Sequence, residues 1–274
     1  MPPEPSDGPP AVKLVIFDFD QTLSTVHVFK MLAGWEPRQR DIQVSKPYSC
    51  TQIGQMTRLS TFNTDDNPKG LREFATKIFG GPDRLAELDK LLKGLAQHGV
   101  ETRVCTRGFV GTVKMLLHAV GLLQYFPRVH GVVEGKYTQT EFDKLVNKSP
   151  KQESLTSSVV KRFACMCAPV ADKPKPAGAT VPRLSPEMYA LRGLTADGQW
   201  GSSKTGLMND LISEKSISPK EALIVDDDER ELADARCEVL HVSERQGLTH
   251  EQCLQIARMA GAQAAEEESA CVLS

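Results

Sequence analysis

Short apolar segments alternate with amphipathic segments along most of this sequence, and this alternation constrains the fold more than any other feature. The apolar segments are rich in β-branched residues and too short for helices, which is typical of buried strands in a parallel sheet. Strands that alternate with helices form βαβ units. We therefore expect an α/β fold: a doubly wound, Rossmann-like parallel sheet of about five strands with helices on both faces. The strands are predicted over 12–17, 100–105, 129–133, 222–225 and 237–242.

The helices between these strands carry signals at their ends. Asp83 is suited to cap a helix that ends at Gly99. Thr249 and Gln252 form the signature of a capping box, so we expect a last helix that runs to about residue 259. Helices are also predicted over 109–120, from 203 to 212 and over 228–235, the last with Asp228 as its cap.

Three regions depart from the alternation. Residues 1–10 are polar and half proline, so we expect disorder there. Residues 23–70 hold scattered apolar positions broken by glycine and proline, which favours a small irregular cap over the end of the first strand. Residues 147–202 contain six prolines and are predicted to be a flexible insertion before the fourth strand. The catalytic domain would span 11–260, followed by a tail over 261–274.

Composition excludes several classes of protein. The chain has 33 Lys+Arg against 35 Asp+Glu, a net charge of −2 that lacks the basic excess of a general nucleic-acid binder. No apolar run approaches the roughly 20 residues that span a bilayer, and the proline-rich, acidic start does not resemble a signal peptide. The seven cysteines are scattered and odd in number. We therefore expect free thiols and a cytoplasmic protein.

Polar residues that can carry chemistry follow the predicted strands. Asp18 and Asp20 come after the first strand, Thr106 after the second and the acidic run 226–228 after the fourth. Lys204 opens the helix that leads to the fourth strand. Because the carboxyl ends of parallel strands meet at one edge, these carboxylates should converge and repel one another. Proton sharing or a hard cation such as Mg²⁺ would relieve the repulsion, and carboxylates, Mg²⁺, a lysine and a hydroxyl together suit phosphoryl transfer.

These residues also match a known pattern. The sequence resembles the haloacid dehalogenase superfamily in its phosphatase branch, because four motifs occur in the family's order. Asp18-Phe-Asp-Gln-Thr22 matches the DxDxT motif, Thr106 the second-motif Ser/Thr, Lys204 the third-motif lysine and Asp226-Asp227 the acidic fourth motif. The resemblance covers about residues 11–135 and 200–245. Lys136, Lys144 and Lys161 compete for the third motif, and Lys204 is preferred because its helix leads directly into the fourth strand.

The resemblance implies a role for each motif residue. Asp18 would be the nucleophile that forms an aspartyl-phosphate, and Asp20 the general acid and then the general base. Thr106 would hydrogen-bond the transferred phosphoryl group, and Lys204 would offset the charge of Asp18 and the phosphate. Thr22 either has a direct role or caps the following helix.

The resemblance also implies a Mg²⁺ site. The Asp18 side chain and the backbone carbonyl of Asp20 would bind the ion together with the acids of the fourth motif. Of these, Asp227 is the preferred ligand and Asp226 lies beside it. Glu231 stands where the family often has a further acid, so the sequence leaves open which of the three completes the metal shell.

The last four residues, Cys271-Val-Leu-Ser, match a prenylation signature, with a final serine that favours farnesyl. One lipid would give only weak, reversible membrane association, and a frayed tail is the alternative.

We therefore expect a Mg²⁺-dependent phosphatase that hydrolyses the phosphomonoester of a small metabolite or a phosphoprotein, with no nucleic-acid partner. The alternatives are a phosphotransferase of the same fold and a membrane-recruited scaffold without turnover. The oligomeric state does not follow from the sequence.

Overall fold

The fold is an α/β fold built on a central parallel sheet. We describe it from a computed structural model, which describes residues 11–132 and 203–262. Five parallel strands form the sheet in the order β5-β4-β1-β6-β7, and a separate antiparallel hairpin joins β2 and β3. The predicted fold class is therefore confirmed. The strands are β1 (Leu14–Phe17), β2 (Arg38–Gln39), β3 (Ile42–Gln43), β4 (Glu101–Phe109), β5 (Arg128–Val132), β6 (Ala222–Asp226) and β7 (Glu238–His241).

Helices cover both faces of the sheet. Val15 and Phe17 of β1 point into a larger core with residues of the helices over 82–97, 110–119 and 250–259. Leu14 and Ile16 point the other way, into a smaller core with residues of the helix over 204–215. The helices are α1 (Val28–Leu32), α2 (Gln52–Ser60), α3 (Gly70–Ile78), α4 (Pro82–Gln97), α5 (Val110–Ala119), α6 (Lys204–Lys215), α7 (Glu229–Leu232) and α8 (His250–Met259).

The central strand β1 lies at the point where strand order reverses. It pairs with β4 on one side and β6 on the other, so that Phe17 is level with Val104 and with Val225. The residues immediately after these three strands therefore meet at one edge of the sheet. This is the place where open α/β sheets hold their ligands.

Several predicted boundaries need correction. Asp83 does not cap α4: the cap is Gly81, whose positive φ of 96° suits glycine, and Pro82 opens the helix with a φ already fixed for it. Strand β4 continues past residue 105 through an irregularity to Phe109. Asp228 does cap α7, but that helix ends at Leu232 rather than 235, because the Ala235 N–H bonds back to Leu232 O and closes a tighter turn. The capping box of Thr249 and Gln252 is present.

Residues 23–70 contain α1, the β2–β3 hairpin and α2, joined by loops. Part of this segment packs on the main domain, because α2 lies against α5. The predictions for 1–10, 147–202 and Cys271 lie outside the described residues, as does nearly all of the predicted tail. In the described ranges no cysteine forms a disulfide, and no helix is long and apolar enough to cross a bilayer.

Candidate active site

Asp18 leaves the end of β1 and opens the candidate site. Its N–H donates to Val225 O at 2.8 Å, so the ladder between β1 and β6 extends one residue further and fixes the Asp18 backbone. The chain then turns over Phe19–Leu23, where the backbone of Asp20 is extended and Gln21 has a positive φ of 64°. The Asp18 side chain is buried at the edge where β1, β4 and β6 end.

Lys204 reaches this buried carboxylate from the start of α6. Ser203 caps that helix by accepting a hydrogen bond from the Gly206 N–H. The Lys204 ammonium lies 2.5 Å from Asp18 Oδ1 and 2.6 Å from Asp226 Oδ2, and all three side chains are buried. The third-motif lysine therefore contacts both the first-motif and the fourth-motif acids. The competing positions Lys136, Lys144 and Lys161 lie outside the described residues.

Three carboxylates of the site are close enough to share one cation. Asp18, Asp226 and Asp227 each offer an oxygen, and these oxygens lie within 4.8 Å of one another. Asp226 is held in place because its Oδ1 accepts from the Asp228 N–H at 2.9 Å. Glu231, the third acid considered for the metal shell, instead receives hydrogen bonds from the Arg107 guanidinium.

The electrostatics of this cluster also fit a divalent cation. Burial raises the pKa of Asp18 well above its ordinary value, and the charges of Asp226, Asp227 and Asp20 add to the rise, while Lys204 opposes it. Burial and Asp226 raise the pKa of Asp227 to about 6. Asp18 and Asp226 outweigh the effect of burial on Lys204 and raise its pKa, so it stays charged. One ammonium is too little positive charge for these acids, and Mg²⁺ with its preference for oxygen ligands would supply the rest.

Thr106 and Asp20 both lie close to Gly108, and Asp20 and Gly108 line a small cavity. Thr106 is buried near the irregularity in β4, and its Oγ1 accepts from the Gly108 N–H at 2.9 Å, which leaves its own hydrogen free to donate elsewhere. A Cβ placed on Gly108 would lie 3.3 Å from Thr106 Oγ1 and 3.8 Å from Asp20 Oδ2. The missing side chain of Gly108 thus leaves room between a hydroxyl and a carboxylate.

Thr22 does not cap the helix that follows it. Helix α1 begins six residues later, at Val28, and the Thr22 hydroxyl is buried without a hydrogen-bond partner among the described residues. The Thr22 carbonyl, in contrast, accepts from both the Leu248 N–H and Arg84. Thr22 therefore ties the turn to the rest of the domain through its backbone.

Two residues near the site were missed by reasoning from the sequence. Arg84, in the first turn of α4, donates to four backbone carbonyls, and burial lowers its pKa to about 10. Those carbonyls belong to Thr22, Leu23, Phe79 and Leu248. His27 lies beside Asp20, although the sequence offers only six dispersed histidines and no pattern among them. An arginine that binds carbonyls leaves no charge pattern to detect, since its partners are backbone atoms of any residue type.

Comparisons with known proteins give structural matches of low similarity. No protein-family model and no curated sequence matches the chain. The solved structures that match are consistently haloacid dehalogenase-like hydrolases. One, from Streptococcus pneumoniae, is 10% identical, covers 89% of this chain and 90% of its own, and has a TM-score of 0.35. A "predicted phosphoglycolate phosphatase" from Haemophilus somnus is 14% identical over 90% of this chain and 98% of its own, with a TM-score of 0.37. L-2-haloacid dehalogenase from Xanthobacter autotrophicus is 16% identical over 88% and 80%, with a TM-score of 0.32. Scores this low carry no argument about the reaction, so the function rests on the geometry of the site.

Proposed function

We propose that this chain is a Mg²⁺-dependent phosphatase of the haloacid dehalogenase type, which hydrolyses phosphomonoesters through an aspartyl-phosphate. The observation that carries the proposal is the contact of the Lys204 ammonium with both Asp18 and Asp226 in a buried site. Buried carboxylates are costly unless they are paired or bind a cation. Acids brought together from two strands around one lysine suit a site that binds phosphate through a metal ion and performs phosphoryl transfer.

In the first step, an Asp18 oxygen attacks phosphorus. A bond forms from that oxygen to phosphorus while the bond to the leaving oxygen breaks, and Asp20 donates a proton to the leaving oxygen. The Thr106 hydroxyl donates to a phosphoryl oxygen, since its acceptor side is already taken by the Gly108 N–H. Lys204 offsets the negative charge that gathers around Asp18.

In the second step, a water molecule attacks the aspartyl-phosphate. Asp20, now a carboxylate, takes a proton from that water as its oxygen bonds to phosphorus. The bond between phosphorus and the Asp18 oxygen breaks at the same time, which releases inorganic phosphate and restores the Asp18 carboxylate. The Asp18, Asp226 and Asp227 carboxylates and the Asp20 carbonyl would hold Mg²⁺, which supplies a Lewis acid for the charge of the phosphate.

Asp20 favours a phosphatase over other hydrolases of this type. The resemblance noted above implies that dehalogenases and transport ATPases lack an acid at this second position. Here the acid is present, its Oδ2 lies 3.8 Å from the position that a Cβ on Gly108 would take, and Asp20 and Gly108 line a small cavity that we propose receives the leaving oxygen. A small phosphometabolite and a phosphoprotein both remain candidate substrates.

The test is phosphate release from p-nitrophenyl phosphate, phosphometabolites and phosphopeptides, each assayed with Mg²⁺ and with EDTA. We expect Mg²⁺-dependent hydrolysis, and Asp18→Asn should lower kcat by more than about 1,000-fold while the thermal unfolding curve stays cooperative. Asp66→Asn, a change of the same type at an exposed residue, is the matched control and should retain full activity.

Other outcomes would replace the proposal. Transfer of phosphate to an added alcohol in preference to water would identify a phosphotransferase. Absence of turnover across the whole panel would favour a scaffold that keeps the fold without the reaction. Full activity of the Asp18→Asn variant would remove the proposed nucleophile.

A further inference from the structure

The carboxyl group of Asp20 is contacted by two consecutive residues at the start of α1. Its Oδ1 accepts a hydrogen bond from the Val28 N–H at 2.8 Å. Its Oδ2 lies 3.1 Å from Nδ1 of the His27 imidazole. Both oxygens of the carboxyl group therefore have a neighbour, and only Oδ2 also lies within 4 Å of the position that a Cβ on Gly108 would take.

The His27 contact with Oδ2 is close but does not form a hydrogen bond. The His27 Nδ1 atom is buried, and it forms no hydrogen bond within residues 11–132 and 203–262. A buried polar atom without a partner is costly, and Asp20 Oδ2 is within reach after a small rotation of either side chain. Hydrogen bonds of catalytic groups are often poorly aligned in the free enzyme and tighten when substrate binds. The short distance between His27 Nδ1 and Asp20 Oδ2, without a hydrogen bond, fits a catalytic contact in the free enzyme.

The backbone of His27 is itself held by the β2–β3 hairpin. Gln39 Oε1 accepts from the His27 N–H at 2.7 Å, and Gln39 Nε2 donates to the His27 carbonyl at 3.3 Å. The same amide nitrogen donates to Glu36 Oε2 at 3.2 Å, which fixes the orientation of the Gln39 side chain. The imidazole therefore starts from a backbone that is bound on both sides.

We propose that His27 is a positioning residue for Asp20, which holds Oδ2 of the carboxyl group toward the leaving oxygen, and that Gln39 sets the position of His27. The inference rests on the proposed phosphatase function and adds to it the means by which the general acid is oriented. Val28 alone leaves the carboxyl group free to turn about its hydrogen bond, whereas a second contact on the other oxygen restricts that rotation.

A positioning role for the general acid has a chemical signature. The alkoxide that leaves an alkyl phosphate needs a proton from the enzyme, so hydrolysis of an alkyl phosphate depends on a well-placed Asp20. The p-nitrophenolate ion leaves without a proton, so hydrolysis of p-nitrophenyl phosphate depends much less on Asp20. Asp20 also acts as the base in the second step for both substrates, so the signature lies in kcat/KM, which reports only the steps up to departure of the leaving group. Damage to the orientation of Asp20 should therefore lower kcat/KM for alkyl phosphates more than for p-nitrophenyl phosphate, whereas general damage to the fold should lower both equally.

The experiment measures kcat and KM for one alkyl phosphate and for p-nitrophenyl phosphate, both with Mg²⁺. We expect His27→Ala to lower kcat/KM about 10–100-fold for the alkyl phosphate and less than about 3-fold for p-nitrophenyl phosphate. His27→Asn should recover part of the loss, because its amide can still donate to a carboxylate. Asp20→Asn is the benchmark for the same selectivity, and His250→Ala, at an exposed histidine that pairs with Glu87, should match the wild type.

Each result shows whether His27 positions Asp20 or only supports the fold. The inference would be overturned by an equal loss of activity on both substrates, by no loss at all, or by an Asp20→Asn benchmark without selectivity. In each of these cases the proposed function still stands if the wild-type enzyme hydrolyses both substrates. A wild type inactive on both would overturn the two together. Should His27→Ala unfold, Gln39→Leu keeps the imidazole in the protein but removes the hydrogen bonds that position its backbone. This variant should show the same selectivity at smaller size, and an unselective effect would refute the proposal.

Discussion

Asp227 and Asp228 are neighbours in the chain, yet their surroundings shift their pKa values in opposite directions. Burial, together with the charge of Asp226, raises the pKa of Asp227 to about 6. Hydrogen bonds from Arg230 lower the pKa of Asp228 to about 2. Ionisation of Asp227 therefore destabilises the folded, metal-free chain, whereas ionisation of Asp228 stabilises it. We predict that Asp227→Asn stabilises the metal-free protein at neutral pH and that Asp228→Asn destabilises it.

The size and pH range of the Asp227 effect follow from the shift. A rise from 3.8 to about 6 corresponds to about 3 kcal/mol of unfolding free energy, and we expect about half of this because the side chain is only partly buried and is screened by solvent. The folded state binds the proton more tightly than the unfolded state, so stability falls as the pH rises from about 4 to about 6. Above about pH 6 the full penalty applies, and Asp227→Asn removes it.

Urea unfolding of the wild type and both variants in EDTA, from about pH 4 to pH 8, measures this difference. The free energy of unfolding of the Asp227→Asn variant should exceed that of the wild type by about 1.5 kcal/mol at pH 7, and the two values should converge near pH 4. Mg²⁺ should reverse the order, because the wild type gains about 2.7 kcal/mol at 100 times its Kd and the variant gains less. Asp228→Asn is the matched control: asparagine still caps α7, so its opposite sign reports charge alone. A loss of stability in Asp227→Asn at pH 7 without metal, or a gain that persists at pH 4, would refute the reasoning.

Three further substitutions test the scaffold and the opening of the site. Lys204→Met should cost about 3–5 kcal/mol, because it leaves two buried carboxylates unpaired, and Mg²⁺ should restore part of the loss in urea unfolding. Arg84→Met should cost about 3 kcal/mol in the same assay, since four backbone carbonyls lose a donor; an unchanged midpoint would contradict this. Gly108→Ala should raise the KM for phosphoesters about 10-fold or more in steady-state kinetics, because the methyl group would lie 3.3 Å from Thr106 Oγ1 and 3.8 Å from Asp20 Oδ2 and displace both groups. The free energy of unfolding should change by less than about 1 kcal/mol.

The strands and the meeting of their ends were predictable from the sequence for a physical reason. Strands buried on both faces must be apolar throughout, and β1 and β6 are buried along their whole length. Their apolar runs end abruptly in acidic residues, which marks where each strand leaves the core. The register of the two strands places Phe17 level with Val225, so the acids that follow these residues are brought together.

Helix boundaries were less predictable because several residues can satisfy one rule. Asp83 has the side chain of a good cap, but Gly81 and Pro82 start α4 earlier through backbone conformation alone. The acidic residue then lies within the first turn, where the helix dipole favours it anyway. A preference for acids near a helix start thus identifies the turn without identifying the residue that caps it.

The surroundings of Asp20 were beyond prediction because they depend on contacts between short irregular segments. Asp18 and Lys204 are 186 positions apart, yet the strand order brings them together. His27 and Gln39 are only 12 positions apart, but the short helix α1 and a loop separate them, Gln39 lies in a two-residue strand, and no periodicity specifies where such segments turn. The pairing of strands in a regular sheet fixes the relative positions of residues that are far apart in the sequence. In an irregular insert, individual hydrogen bonds fix the positions of the residues. The charged cluster is therefore a property of the fold class, and the orientation of the general acid is a property of this particular insert. Substitutions in the hairpin should consequently change which phosphoesters are hydrolysed before they change whether the site forms at all.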